Sequence, residues 1–411
     1  MASYAQNTST NVTVIGVKNP NDVVVVSTAR TPLTRANKGL FRDTEVEYLL
    51  STVLRGVVEK VGLDPALVED IVVGTVTTPG GGSQKARMAL LYAGFPETTA
   101  SMCLDRQCSS GLHAVGQIVS GIRDGTIEIG IGAGVEVLSK HYKTFNKQGK
   151  DFYDQEILAV PTAKDSLAPV GILSDEIAEK YNVSREDQDY FSALSHAKAA
   201  FAQKNGYFKD EIIPVKTKII NKDGSVEEVI VTEDDGIRPG TTPETLAKLK
   251  PYFNENGTTT AGNASQVTDG AAAVLLMKRS RAIELGLPIM GKVITSAVVG
   301  FKVRELLISP IDAIPLAVKK AGITIDDLEI IELNEAFASQ SVHVIQSLGI
   351  DILKVNPKGG AVALGHPFGC TGARQIGTLL TELKRTNKRV GAVTMCAGYG
   401  NGMCTIFESE H

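Results

Sequence analysis

The chain has 411 residues, 43% hydrophobic and 21% charged, with a formal net charge of −4. That length suggests two or three packed units, and the composition is that of a soluble globular protein, not a disordered one. The small net charge gives no polyanion signal, so nucleic acid is excluded as a partner on charge. No apolar run reaches the length of a membrane span.

Five cysteines, Cys103, Cys108, Cys370, Cys396 and Cys404, form an odd set. None of their spacings reads as a zinc site; free thiols in a reducing compartment and no metal are expected. The first twenty residues are polar and lack an apolar signal core, and the final Ser-Glu-His is not the Ser-Lys-Leu address.

In chain order, an amphipathic helix is predicted over about 48–61, stopped by a glycine and followed by an apolar strand that ends at Gly74. A second apolar strand leads into Cys108, where a helix is predicted to open, and a Gly-rich strand follows over 127–134. Residues from about 139 to 256 break this rhythm. They hold polar stretches, a helical run over 184–205 and a Pro/Gly-rich passage around Arg238. An insertion of this size is expected to cover or shape a site, or else to be a decorative surface subdomain; a third independent core is not expected.

The first rhythm then repeats. Residues 320–334 line up with 60–74, after a helix over 311–321 and before a helix opening on Cys370 and a Gly-rich strand over 390–398. The repeated order points to internal duplication, and its alternation of strands and helices to layered α/β architecture with a mixed central sheet.

Cys108 stands between an apolar strand and a helical pattern. The N–H groups and dipole of a helix start are expected to stabilise its thiolate, lower its pKa and cradle an oxyanion. Taken alone, a buried structural cysteine is the competing reading. His366 lies in a glycine-crowded loop before Pro367, where a neutral imidazole can deprotonate a thiol, although a lone histidine is more often packing or surface. Cys396 ends a strand and opens the turn Ala-Gly-Tyr-Gly-Asn-Gly, a setting suited to proton transfer at carbon. Asn334 can hold a water or polarise an oxygen, or simply cap a helix. Cys103, Cys370 and Cys404 read as structural.

Gln107-Cys-Ser-Ser-Gly111, Asn334-Glu-Ala-Phe337, Gly365-His-Pro367 and Cys396-Ala-Gly398 occur in the order and spacing of the four active-site loops of the thiolase family. The chain resembles that family from about Asn19 onward, and its wording at Arg106–Leu112 and Gly359–Pro367 is most similar to the peroxisomal 3-ketoacyl-CoA thiolases. The resemblance implies a five-layered αβαβα fold from two duplicated halves. It divides the chain into an N-terminal thiolase domain (20–138 and 257–287), a loop domain that binds coenzyme A (139–256) and a C-terminal thiolase domain (288–411). It also implies a homodimer or homotetramer, coenzyme A as substrate with no permanently bound cofactor, and a peroxisomal location.

The resemblance further implies Cys108 as the acylated nucleophile, His366 as its activator and Cys396 as the acid/base. His366 with a water on Asn334 would form one oxyanion hole, and the N–H groups of Cys108 and Gly398 the other. Arg238, Phe253 and Ser265 match coenzyme A contacts, and Phe337 matches a pocket wall. Val170, after Pro169, stands at a position where relatives carry methionine. Ser309 lies in the stretch Leu306-Leu-Ile-Ser-Pro310, which replaces a Met-Gly-x-Gly-Pro segment of the family, and Tyr399 sits beside the Cys396 loop. These three are expected to reshape the acyl pocket. Two readings compete with ping-pong thiolysis: a specialised condensing enzyme of the same fold, and a non-catalytic acyl-CoA or lipid-binding relative. The second cysteine, Cys396, argues for a true thiolase over the condensing synthases but leaves the direction, thiolysis or condensation, open. Retention of all four motifs argues against the non-catalytic protein.

Overall fold

The computed structural model describes residues 13–145 and 152–411. The first half runs β1 (Val23–Arg30), β2 (Thr34–Arg35), α1 (Val46–Glu59), β3 (Asp70–Gly74), α2 (Ser83–Tyr92), β4 (Ala100–Leu104), α3 (Ser110–Asp124) and β5 (Ile129–Val137). The insertion carries α4 (Leu138–Phe145), α5 (Gln155–Leu158), α6 (Pro161–Lys164), α7 (Val170–Lys180), α8 (Arg185–Lys204), the hairpin β6 (Val215–Ile220) and β7 (Val226–Val231), and α9 (Pro243–Leu246). The chain returns through β8 (Thr268–Lys278) and α10 (Arg279–Glu284). The second half comprises β9 (Gly291–Gly300), α11 (Pro310–Ala321), β10 (Ile330–Leu333), α12 (Ala338–Leu348), α13 (Ala361–Leu364), α14 (Phe368–Arg385), β11 (Val390–Ala397) and β12 (Asn401–Ser409).

The repeat read from the sequence is a repeat of structure. Helices α1 and α11 are each followed by a glycine of positive φ, 67° at Gly62 and 71° at Gly322, and then by a short buried strand, β3 and β10. Glycine tolerates that left-handed turn without the Cβ clash another residue would meet. In the first half β3 lies parallel to β4 and β5, while β5, β8 and β1 are antiparallel neighbours. In the second half β10 is parallel to β11, and β11, β12 and β9 are antiparallel. The two half-sheets meet where Val24 and Val25 of β1 pair with Lys292 and Gly291 of β9.

Three apolar clusters separate the layers. One packs α1 and α2 on the first half-sheet through Leu50, Leu54, Ile71 and Leu90. A second fills the space between the half-sheets, around α3 and α14, with Leu112, Val115, Ile376 and Leu379. The third packs α11 and α12 on the second half-sheet with Ile314, Val318, Ile331 and Ile345. Helix, sheet, helix, sheet, helix: these are the five layers expected. The insertion contributes to all three clusters, with Val215 and Val231 in the first, Ala199 and Phe208 in the second and Leu173 and Phe191 in the third. It builds no core of its own among the described residues.

A buried ion network fastens the insertion to both halves. Arg30 of β1 makes paired bonds to Asp234 at 2.8 and 2.9 Å and one to Glu211 at 3.1 Å, and Glu211 also takes a bond from Lys358. Such a network is costly to break from one side, because the remaining charge is left buried without its partner.

Candidate active site

Chain direction delivers the candidate residues to one region. Parallel strands β10 and β11 end side by side, with Leu333 opposite Thr394, so Asn334 and Cys396 leave the same sheet edge. The Asn334 N–H donates to the Thr394 carbonyl at 3.0 Å. In the central layer the opening turns of α3 and α14 pack glycine to backbone. A Cβ on Gly111 would stand 2.4 Å from the Gly369 carbonyl oxygen, and one on Gly372 would stand 2.3 Å from Leu112 N. That approach brings the Cys108 loop against the His366 loop.

Cys108 precedes α3 by two residues, so the helix does not open on the cysteine as the sequence suggested. Its sulfur accepts from two backbone N–H groups, its own and that of Gly398. The preceding residue, Gln107, has a positive φ of 50°, and its side chain packs where a Cβ on Gly398 would lie. A lowered pKa was expected for Cys108, and the structure corrects this. Burial pushes the thiol up to about 12, helped by the carboxylates of Asp105 and Glu136, and the two N–H groups offset only part of the rise. Desolvation of a thiolate outweighs the partial charges of a helix end. Cys396 is buried, and its thiol is also raised, first by burial and then by the charge of Cys108. Two thiols close enough to repel as thiolates favour one anion at a time.

His366 is buried, and its backbone N–H donates to the Gln266 carbonyl at 2.9 Å. Its Nδ1 lies 2.6 Å from Thr371 Oγ1, and its Nε2 lies 3.3 Å from Asn334 Nδ2. Burial, with Arg374 nearby, lowers its pKa to about 3, so the imidazole is neutral at rest. Asn334 lies four residues before α12, which removes the helix-cap reading. Its Oδ1 is buried without a hydrogen-bond partner among the described residues. Cys370 and Cys404 are buried and held near 12 by burial, and Cys103 is pushed up to about 11, all consistent with structural thiols.

The family assignment follows. Residues 23–280 match the thiolase N-terminal domain and residues 287–409 the thiolase C-terminal domain. The chain belongs to the thiolase family. Among relatives, it is 48% identical over 407 residues to a peroxisomal 3-ketoacyl-CoA thiolase of Yarrowia lipolytica, covering 98% of this chain and 97% of the other. Its structure resembles that of the dimeric peroxisomal thiolase of Saccharomyces cerevisiae, with a TM-score of 0.90, 42% identity and coverage of 96% and 99%. A second structure from that yeast, of a peroxisomal 3-ketoacyl-CoA thiolase described as five-layered with two core domains of identical topology, matches with a TM-score of 0.78, 38% identity and coverage of 96% and 99%.

Of the other sequence-predicted residues of this thiolase, Val170, Phe253, Ser265 and Phe337 lie close together. Phe253 lies over Gly171, next to Val170 at the exposed start of α7, and its ring meets that of Phe337 at 6.3 Å. Ser265 donates its N–H to the Ala336 carbonyl at 3.0 Å, beside Phe337. Arg238 is exposed and donates its backbone N–H to His196 Nδ1 at 3.2 Å. Tyr399 is half exposed between two glycines at a φ of 64°, within electrostatic reach of Asp105 and Cys108. Ser309 is buried, and its hydroxyl donates to the Asn401 carbonyl at 2.7 Å, bracing the start of β12.

Sequence reasoning missed three supporting residues. Gln266 donates to the carbonyls of Gly236, Val362 and Ala363 at 2.9, 3.0 and 2.9 Å, joining the Arg238 loop to the His366 loop. Glu136 accepts from the N–H groups of Val76, Thr77 and Gly369 at 3.0, 2.9 and 2.9 Å and holds the first turn of α14 against the end of β3. Thr371 contacts His366 directly. Its place five residues after the histidine, on the first turn of a helix, was the available signal.

Proposed function

We propose that this thiolase cleaves 3-ketoacyl-CoA with coenzyme A to acetyl-CoA and a shortened acyl-CoA, through an acyl-Cys108 intermediate. The observation that carries the reading is the convergence on the Cys108 sulfur of two backbone N–H groups, its own and that of Gly398, beside a second thiol, Cys396. Full-length similarity to peroxisomal 3-ketoacyl-CoA thiolases supports the substrate class, fatty-acid β-oxidation and a peroxisomal enzyme. The dimeric yeast relative supports a dimer.

In this reading His366 Nε2 takes the proton of Cys108 as the sulfur attacks the 3-keto carbon. The oxyanion, on the carbon bonded to the Cys108 sulfur, is held by the N–H groups of Cys108 and Gly398. The bond between C2 and C3 breaks, its electron pair passes into the enolate of acetyl-CoA, and the Cys396 thiol protonates C2. The enolate oxygen lies toward the His366 imidazolium and a water on Asn334 Oδ1. The Cys396 thiolate then deprotonates incoming coenzyme A, whose sulfur attacks the acyl-Cys108 thioester, and His366 returns its proton to the departing Cys108. Coenzyme A is a substrate here, and the proton balance closes without a permanently bound cofactor. Run backwards, the same steps perform a Claisen condensation.

Residues 139–256 serve as the loop domain over the site. Arg238, Phe253 and Ser265 hold coenzyme A, and Phe337, Val170 and Tyr399 line the acyl pocket. No helix among the described residues is long and apolar enough to cross a membrane, and the substrate is a water-soluble thioester. The test uses two variants. Cys108→Ala is expected to abolish both acyl-enzyme formation and thiolysis, and mass spectrometry that finds acylation on another residue would overturn the assignment. Cys396→Ala is expected to accept an acyl group yet fail to exchange the α-protons of acetyl-CoA; unchanged exchange would remove its acid/base role.

A further inference from the structure

Thr371 is the side chain that meets the far nitrogen of His366, and its own bonding decides what it can offer. It lies on the first turn of α14 and is fully buried. Its hydroxyl donates to the Pro367 carbonyl at 3.1 Å, and the same oxygen lies 2.6 Å from His366 Nδ1. A hydroxyl has one proton and two lone pairs. Donation to Pro367 leaves Oγ1 an acceptor toward the ring, an arrangement that pairs with an imidazole proton on Nδ1.

We propose that Thr371 is a positioning residue that holds His366 in the Nδ1–H tautomer and keeps Nε2 unprotonated, so that it can take the Cys108 proton. The proposal rests on the reading of His366 as the base. The opposite face of the ring is consistent with it. Asn334 presents its Nδ2, a donor, to Nε2 at 3.3 Å, which suits a lone pair there. Phe368 packs edge-on at 5.2 Å and limits rotation of the ring. Among the described residues no carboxylate bonds to Nδ1, and the guanidinium of Arg374 supplies a nearby positive charge. A hydroxyl therefore does what a carboxylate does in other histidine-based sites, fixing the tautomer, without stabilising a resting imidazolium. The imidazolium forms only while an oxyanion is present to share its new proton.

Two measurements test this. In the wild-type enzyme labelled with 15N-histidine, with His366→Asn used to assign the resonance, His366 is expected to show a protonated Nδ1 and an unprotonated Nε2. A protonated Nε2 would overturn the proposal without any substitution of Thr371. Thr371→Val keeps the shape and removes the hydroxyl; it is expected to lower kcat by about tenfold to a hundredfold with little change in KM, and to mix the tautomers. Thr371→Ser is expected to restore both kcat and the single tautomer, which a purely packing role would not require. Wild-type kcat and tautomer in Thr371→Val would overturn the proposal. His366→Ala separates the two ideas: if it retains kcat, the base reading falls and this proposal with it. If it loses kcat while Thr371→Val does not, only the role of Thr371 falls.

Discussion

Gly111 packs so closely on Gly369 that a Cβ at position 111 would lie 2.4 Å from the Gly369 carbonyl oxygen and 3.0 Å from Ala373 N. Both neighbours are backbone, so neither can move aside cheaply. This contact sets the distance between the two helix openings that carry the Cys108 and His366 loops. Gly111→Ala is expected to destabilise the fold by about 1–3 kcal/mol and to slow acylation more than its stability loss explains. Gly116→Ala on the same helix, where the nearest atom is Met403 Cε at 3.6 Å, is the control and should be tolerated. Denaturant titration together with single-turnover acylation checks both.

The resting thiol of Cys108 and imidazole of His366 are both neutral, with pKa values displaced to about 12 and about 3. The thiolate is the species that reacts with iodoacetamide, so below its pKa the reactive fraction grows about tenfold per pH unit. Alkylation of Cys108 in the free enzyme is therefore expected to rise throughout about pH 6 to 9 without an acid-side plateau. A thiolate–imidazolium pair formed at rest would give a flat rate over that range. Stopped-time alkylation followed by peptide mass spectrometry distinguishes the two.

Glu211 binds Lys358, Arg30, Thr378 and Thr381. Burial alone would raise its pKa, but Lys358 and Arg30 outweigh burial and bring it down to about 2 from 4.5. A depressed carboxylate contributes stability that is present above 4.5 and is lost as pH falls toward 2. Glu211→Gln is expected to cost about 3–5 kcal/mol at neutral pH, because two buried cations lose their partner. Its stability should also fall less steeply than that of the wild type below about pH 4.5. Urea titrations at several pH values measure both effects.

Tyr399 holds a φ of 64°, a conformation that suits glycine, and stands between Gly398 and Gly400 beside the Cys108 loop. Tyr399→Gly is expected to relieve about 1 kcal/mol of backbone strain while opening the mouth of the acyl pocket. The ratio of kcat/KM for bulky over short 3-ketoacyl-CoAs should shift by about tenfold or more toward bulky chains. A panel of chain lengths and branches assayed in both directions reads this out. An unchanged ratio would remove Tyr399 from the pocket.

The duplicated halves were legible because each repeats a helix, a glycine stop and a short apolar strand, a pattern written in local periodicity. The four motifs were legible because each stands at a strand end or glycine turn. Cys108 was misread in its ionisation. A helix start is visible in sequence, whereas the burial that outweighs it depends on residues hundreds of positions away. The hydrogen bond of the Ser309 hydroxyl to the Asn401 carbonyl was not legible, since it joins residues about ninety positions apart. Thr371 and Gln266 were overlooked because their roles consist of contacts to other loops.

The sequence by itself determined the two-fold repeat, the family and the residue types brought to the chemistry, since those follow from spacing and from side-chain identity. Tertiary structure decided the protonation states, the approach of α3 to α14 and the binding partner on each nitrogen of His366. The reason is physical: desolvation and hydrogen-bond geometry belong to a packed site, and they come into being only when segments far apart in the chain exclude water together.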